Sequence, residues 1–247
     1  MLLTIDVVIL SNAKNKTLTD LTIATVNSLL SSNKTSQINF NIVVIESNKA
    51  IAPYQFPNTT TLYPTEDFGF NKFLNIGIKH THGQYVCLAN NDLIFSNGWA
   101  ESLLEEFEKD QTLYSANAFC ENFDYREEVR NGPNVMSNIE YPNTFGILTG
   151  WFIFVRRDIF NIIGELDEKF KFWYADNDYE LTLKKYEVKH ALIKSSRVLH
   201  IGNQSHEILD DKRNEMTYAQ RKVFENKWGY KNRFHRWADK LIKRIFR

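Results

Sequence analysis

Cysteine is scarce in this chain: two among 247 residues, Cys87 and Cys120, far apart and with no CxxC or CxxH spacing. That argues against a structural zinc site and makes a reducing compartment the simpler expectation. No apolar run reaches the ~18 residues that a membrane span needs. Net charge is also absent, with 30 basic against 30 acidic side chains. No global field therefore draws the protein toward nucleic acid or anionic lipid, and any such attraction must be local. The opening MLLTIDVVIL is apolar but carries Asp6 and lacks both a basic lead and a small-residue cleavage site. It reads as a buried first strand and not as a signal peptide, so a cytoplasmic protein is expected. There is no internal repeat, no low-complexity tract and no glycine-rich phosphate loop: SNAKNKT (11–17) offers lysines without glycine.

What is present is an ordinary globular composition, 43% hydrophobic and 24% charged. Residues 5–10 are β-rich, residues 19–30 place Leu21, Ile23, Val26 and Leu29 at helical spacing, and NFNIVVIE (39–46) reads as a second buried strand. Residues 68–80 set Phe70, Phe73, Leu74, Gly77 and Ile78 on one helical face; YVCLA (85–89) is a third strand and 99–109 an amphipathic helix. This alternation predicts an α/β protein with a mixed, mostly parallel sheet flanked by helices. Residues 121–143, with Gly132, Pro133 and Pro142, read as a long surface excursion. A strand and a short helix ended by Gly164 follow, and then 190–202 as two short strands or one bent one. From position 210 the chain turns helical and basic, which divides it into a domain over 1–210 and a basic helical extension over 211–247.

Ligands of open parallel α/β sheets bind beyond the carboxyl ends of the strands. Ser11 and Asn12 follow the first strand, Glu46 ends the second, and Asn90 and Asp92 follow the third. Turns are polar in any protein, so each end taken alone also fits an ordinary turn. Asp92 is sharper, because LANNDLIF turns apolar again at once. A carboxylate there suits Mg²⁺ or Mn²⁺, which take one or two carboxylates together with substrate phosphates; an Asx-turn is the alternative. His200 closes the run RVLHIG and fits either a structural hydrogen bond or a metal ligand.

KFWYADNDYELTLKKY (171–186) sets Phe172, Trp173 and Tyr174 directly against Asp176, Asp178 and Glu180. Apolar neighbours raise the cost of ionising a carboxyl. One of these acids caps the helix that begins here, or one does chemistry in a cleft.

In order and over roughly residues 4–229 the chain resembles the family 2 glycosyltransferases, which have the GT-A fold. IDVVILSNAKN is similar to the family's first strand, IVVIESN to its second, and FGFNKFLNIGI with YVCLANNDLIF to its Gly-Phe helix and DXD-type strand end. TGWFIFVRRDIFNIIGELDEKFKFWYADNDYEL resembles the acceptor-side segment that ends in the ED-x-D motif, and VLHIGNQS and FENKWG its closing histidine strand and Lys-Trp-Gly helix end. The resemblance implies a transferase moving sugar from a nucleotide-diphosphate donor to an acceptor hydroxyl with inversion. It implies Ser11, Asn12, Glu46, Asn71, Asn90 and Asp92 around the donor, Glu46 near the base. Asp92 and His200 would ligate Mn²⁺ or Mg²⁺, Asp176 would be the general base, and Gly150, Trp151, Trp173 and Tyr174 would meet the acceptor. The DXD position reads Asn90-Asn91-Asp92 and the ED pair Ala175-Asp176, so each motif keeps one acid.

In this reading Asp176 deprotonates the acceptor hydroxyl while the adjacent rings give a sugar a flat surface. Asp178 caps the helix or holds the loop, and Glu180 is a solvated helix residue. The acceptor stays open among a glycan, a lipid-linked glycan, a protein and modified nucleic acid. In RFHRWADKLIKRIFR (233–247) Phe234, Trp237, Leu241 and Ile245 share a face with basic residues around them. Packing on the domain or on a second copy as a homodimer, an anionic membrane and nucleic-acid phosphates all fit that pattern. Two rival functions remain: a sugar-nucleotide-binding protein of the same fold without catalysis, and a nucleotidyltransferase, for which the missing phosphate glycines count against.

Overall fold

The computed structural model describes residues 2–33, 37–202 and 210–229. Strand β1 (Leu3–Ser11) is buried along nearly its whole length, as a strand covered on both faces must be. Its alternate residues feed two cores. Ile5, Val7 and Ile9 face a layer that includes Val26 and Leu29 of α1 (Lys16–Leu30), while Val8 and Leu10 face the opposite layer. Asn15 starts α1 by accepting the backbone N–H of Leu18 at 2.9 Å. Strands β2 (Ile38–Glu46) and β3 (Thr60–Leu62) continue the sheet in parallel on one side of β1.

Helix α2 (Phe70–His80) follows the expected periodicity, and Gly77 is what lets it lie down on the sheet. A Cβ at that position would come within 2.3 Å of Val8 Cγ1. Beyond it lie β4 (Tyr85–Asn90), β5 (Leu93–Phe95) and α3 (Trp99–Lys109), whose Trp99, Leu103 and Phe107 complete the α1 layer. Strand β6 (Leu113–Phe119) then returns to the sheet.

The 121–143 segment runs over the surface as its Gly, Pro and Asn content leads one to expect, with most of its residues exposed, but it is not without structure. It forms α4 (Glu127–Asn131) and β7 (Val135–Ser137), and Tyr125, Val129 and Met136 pack with Phe119, Ile147 and Leu192 in a third small core. Three apolar anchors spaced along a polar segment suffice to fix it to the domain while most of it stays exposed. Strand β8 (Phe152–Arg156) and α5 (Ile159–Ile163) follow, α5 ending at Gly164 with φ 76° as expected. Helix α6 (Ala175–Lys185), β9 (Lys189–His200) and α7 (Asp210–Trp228) complete the described chain. Residues 190–200 are one strand, irregular where its pairing to β6 jumps from Ile193 to Arg197.

The strand order is β3-β2-β1-β4-β8-β6-β9-β5, with β7 beside β9. Strands β1, β2, β3, β4, β6 and β9 run one way and β5, β7 and β8 the other, so the sheet is mixed and mostly parallel. Helices cover both faces. Residues 230–247, and with them the basic amphipathic stretch 233–247, lie outside the described residues.

Candidate active site

The site grows from strand ends on one edge of the sheet. Ser11 closes β1, buried, with its hydroxyl 3.0 Å from that of Thr22 on α1. Half-buried Asn12 follows, and its carbonyl accepts the N–H of Lys14 at 2.9 Å. Glu46 closes β2 with no exposed surface. Its carboxylate accepts the N–H of Ala13 at 3.1 Å and that of Asn48 at 2.6 Å, tying the ends of β1 and β2 together. β1 lies between β2 and β4, so Glu46 and Asp92 do not end neighbouring strands; two strand spacings, about 10 Å, separate their rows.

The turn after β4 is built against α1. The amide of Asn91 donates to Thr22 Oγ1 at 2.9 Å, and its carbonyl accepts Thr25 Oγ1 at 2.7 Å. Asn90 donates its backbone N–H to the Trp151 carbonyl at 3.0 Å, where β4 pairs with β8. Asp92 is 7% exposed. Its Oδ2 lies 3.2 Å from His200 Nε2, because β5 pairs with β9 in the register Leu93 to His200. Its Oδ1 is buried with no hydrogen-bond partner. An orphaned buried acceptor costs on the order of 1–3 kcal/mol, which a cation would relieve. Carboxylate oxygen beside imidazole nitrogen fits Mn²⁺ or Mg²⁺. Among the described residues no group of three or more His, Cys, Asp or Glu side chains could hold a metal, so phosphate oxygens would have to complete the shell.

His200 is held from two further sides. Its ring stacks on Trp151, with centroids 5.3 Å and planes 15° apart, and its backbone N–H bonds the buried Cys120 sulfur at 3.2 Å. The Trp151 indole N–H is buried without a partner, so this ring supports the histidine and offers no open platform to an acceptor.

Gly150, beside Trp151, is where Asp176 arrives. A Cβ on Gly150 would lie 3.0 Å from Asp176 Cβ, so the approach requires glycine. Burial pushes the Asp176 carboxyl above the usual carboxylate range, while the backbone N–H groups of Asn177, Asp176 itself and Gly150 pull it back. Asp176, Gly150, Trp151, His200 and Asp92 thus form one contiguous chain of contacts.

A buried polar network that the sequence reading missed fixes this geometry. Asn117 on β6 donates to the Thr149 carbonyl at 2.9 Å and to its hydroxyl at 2.8 Å. His190 on β9 has Nδ1 2.8 Å from Ser115 Oγ and Nε2 3.1 Å from the Ile147 carbonyl. Tyr179 on α6 donates to the same Ser115 oxygen at 2.9 Å. Since a carbonyl only accepts, Nε2 carries the proton and Nδ1 accepts from Ser115. Burial pulls His190 down to about 4, so it is neutral. Residues 147–149 and α6, which carry Gly150 and Asp176, are therefore pinned to the same two strands. The available signal was a polar residue within an apolar strand, Asn117 in SANAF and His190 in KHALI.

Other expected site residues lie elsewhere. The amide of Asn71 is buried and donates to the Asp167 carbonyl at 2.9 Å, making it a strut under α2 outside the strand-end group. Trp173 is half-buried with its ring 5.2 Å from Phe172. Tyr174 adopts a left-handed conformation, φ 65°, and its ring lies 5.3 Å from Phe224 of α7. Asp178 does not cap α6: the Tyr174 side chain at the N-cap makes no cap bond, the Asp176 carboxylate accepts the first-turn N–H of Asn177 at 2.9 Å, and Asp178 instead bonds α7. Glu180 is exposed, as expected of a solvated helix residue.

The fold recurs among glycosyltransferases of the GT-A type. GalNAc-T7, solved with UDP, GalNAc and Mn²⁺, superposes with a TM-score of 0.65 at 15% identity, over 83% of this chain and 44% of that one. TarS of S. aureus (residues 1–349) gives 0.61 at 12% identity, over 88% and 70%. The catalytic domain of Drosophila beta1,4galactosyltransferase 7, in complex with xylobiose, gives 0.55 at 13% identity, over 88% and 80%. At such identities the likeness is one of fold, and the chain spans less than half of GalNAc-T7. The chain belongs to glycosyl transferase family 2, whose profile matches residues 13–164, more than half of its length. Comparison with curated protein sequences finds no match.

Proposed function

We propose that the protein transfers a sugar from a nucleoside-diphosphate donor to an acceptor hydroxyl with inversion. The observation that carries this reading is the contact chain from Asp176 through Gly150, Trp151 and His200 to Asp92. It sets a carboxyl raised by burial at one end and an unpartnered carboxylate oxygen at the other. Asp176 would take the acceptor proton as the hydroxyl attacks, its raised affinity for protons matching that task. Ser11, Asn12, Glu46 and Asn90 frame the donor, with Glu46 holding the β1 and β2 ends against which a base would rest. Asp92 and His200 would hold the metal, which when bound neutralises charge growing on the leaving diphosphate. The chain's own residues orient the donor and exclude water around it. Trp173 and Tyr174, both half-buried, would meet the acceptor beside the exposed ring of Phe172. A catalytic domain over 1–210 with 211–247 as its extension suits this reading.

A sugar-nucleotide-binding protein of the same fold is the second reading, favoured by Asn90 and Ala175 standing where acids are expected. Thermal-shift screening of nucleotide-sugars with and without Mn²⁺ finds the donor under either reading, since ligands of the folded state raise the melting point. Release of nucleoside diphosphate then decides between them. With Asp176→Asn, turnover should fall by about 10²–10⁴ while donor affinity holds; undiminished turnover would remove Asp176 from the mechanism.

A further inference from the structure

Asp178 is the acid of the KFWYADNDYEL stretch to which glycosyl transfer gives no work. It is 3% exposed, and its Oδ1 accepts the indole N–H of Trp228 at 2.8 Å. The Lys227 ammonium lies 3.0 Å from its Oδ2 and 2.8 Å from Asp167 Oδ2. Burial pulls the ammonium's pKa down, but bonds to the two carboxylates outweigh this and raise it. Further back on α7, Phe224 sets its ring 5.3 Å from Tyr174 and 6.4 Å from Phe170. One turn earlier, Gln220 Oε1 accepts the backbone N–H of Lys171 at 2.7 Å. Positions 220, 224, 227 and 228 share one face of a helix, so α7 grips the 167–178 segment at successive points.

That segment needs the grip. Tyr174 starts α6 from a left-handed conformation that a bulky residue rarely adopts, and its side chain makes no cap bond to the helix. Such a turn is strained and persists only where surrounding contacts over-determine it. Asp176 sits two residues beyond that turn and two before Asp178.

We propose that Gln220, Phe224, Lys227 and Trp228 are positioning residues for glycosyl transfer: by holding Asp178 and the Tyr174 turn they keep Asp176 against Gly150. The proposal rests on Asp176 being the general base. It makes α7 part of the transfer apparatus, coupling the C-terminal region to the acceptor side of the site.

The test compares Lys227→Met/Trp228→Phe, Trp228→Phe alone and the conservative Lys227→Arg. Backbone amide exchange over 172–180, the Asp176 carboxyl titration by ¹³C NMR and the affinity for UDP with Mn²⁺ are measured for each. The charged neighbour of Asp176 along α6 is Glu180, which is unchanged in these variants. In the double variant, exchange over 174–178 should rise by at least about tenfold as the turn opens. The Asp176 titration should move down toward the ordinary carboxylate range as water enters, with UDP affinity unchanged. Trp228→Phe alone should do the same to a smaller extent, and Lys227→Arg should restore wild-type behaviour. Exchange and titration unaltered in the double variant overturn the proposal. Asp176→Asn, assayed alongside by UDP release from a panel of UDP-sugars, keeps the two readings apart. Full turnover in that variant overturns the general base and this proposal together. Lost turnover there, with the clamp variants behaving as wild type, overturns the proposal alone.

Discussion

His200 Nε2 lies 3.2 Å from Asp92 Oδ2, joining the turn after β4 to the end of β9. The pairing of Leu93 with His200 sets this approach, and the Trp151 ring stacked on the imidazole maintains it. One carboxylate oxygen is engaged and the other is buried without a partner. That unpartnered oxygen is the observation behind the proposed metal role of the pair.

Asp92→Asn should test that place directly. Removing even the outer-shell partner of a metal ligand typically costs 10–100-fold in affinity, so in the proposed function loss of a ligand should cost at least about tenfold in Mn²⁺-assisted binding of a nucleoside diphosphate, with UDP as the probe. Calorimetry with Mn²⁺ and with EDTA is the measurement. Equal UDP affinities of the wild-type protein under both conditions would end the metal role of Asp92 and His200.

Gly150→Ala should lower turnover while leaving the fold intact. The new methyl would press on Asp176 Cβ at 3.0 Å and push it by a few tenths of an ångström, and since a misplacement of about 1 Å can cost on the order of 10²-fold, a smaller loss is expected here. Affinity for a nucleoside diphosphate should hold, because the proposed donor residues do not touch Gly150. A variant with normal turnover and an unchanged Asp176 titration would show that the close approach has no catalytic consequence.

His190 predicts an acid limb in stability. Its folded-state value, about 4, lies below the ordinary histidine value. The unfolded chain therefore takes up a proton first as pH falls. Stability is full above roughly pH 6.5 and declines until about pH 4, with roughly 3 kcal/mol at stake. Denaturant melts between pH 7.5 and 4 measure it. In His190→Gln the slope over that window should flatten; an unchanged slope would assign the acid limb to other groups.

Deleting residues 230–247 should leave the Asp178 contacts with Lys227 and Trp228 in place, since both precede the cut. If the basic stretch 233–247 is a peripheral membrane anchor, the truncated protein stays folded and stops sedimenting with anionic liposomes. A truncation that is insoluble, or that changes a dimer into a monomer, would instead assign its apolar face to the domain or to a second copy. Among the described residues no helix is long and apolar enough to cross a membrane.

The sequence by itself determined most of the architecture. Strands buried on both faces are mostly apolar, so residues 5–10, 39–46 and 85–89 were legible from composition even with Asp6 and Glu46 among them. The helices at 70–80 and 99–109 carry a 3.6-residue apolar period that no strand would show. Strand ends in a parallel sheet are where ligands sit, so Glu46 and Asp92 could be singled out without coordinates. Only the tertiary structure decided what each of them touches. A buried carboxylate looks the same in sequence whether it clamps backbone N–H groups, as Glu46 does, or keeps one oxygen unpartnered, as Asp92 does. Asp176 and Asp178, two residues apart on one helix, point to different neighbours because successive helical positions lie about 100° apart. One meets Gly150 and the other meets Lys227 and Trp228. Those partners come from distant parts of the chain, and local periodicity carries no information about contacts made over such separations.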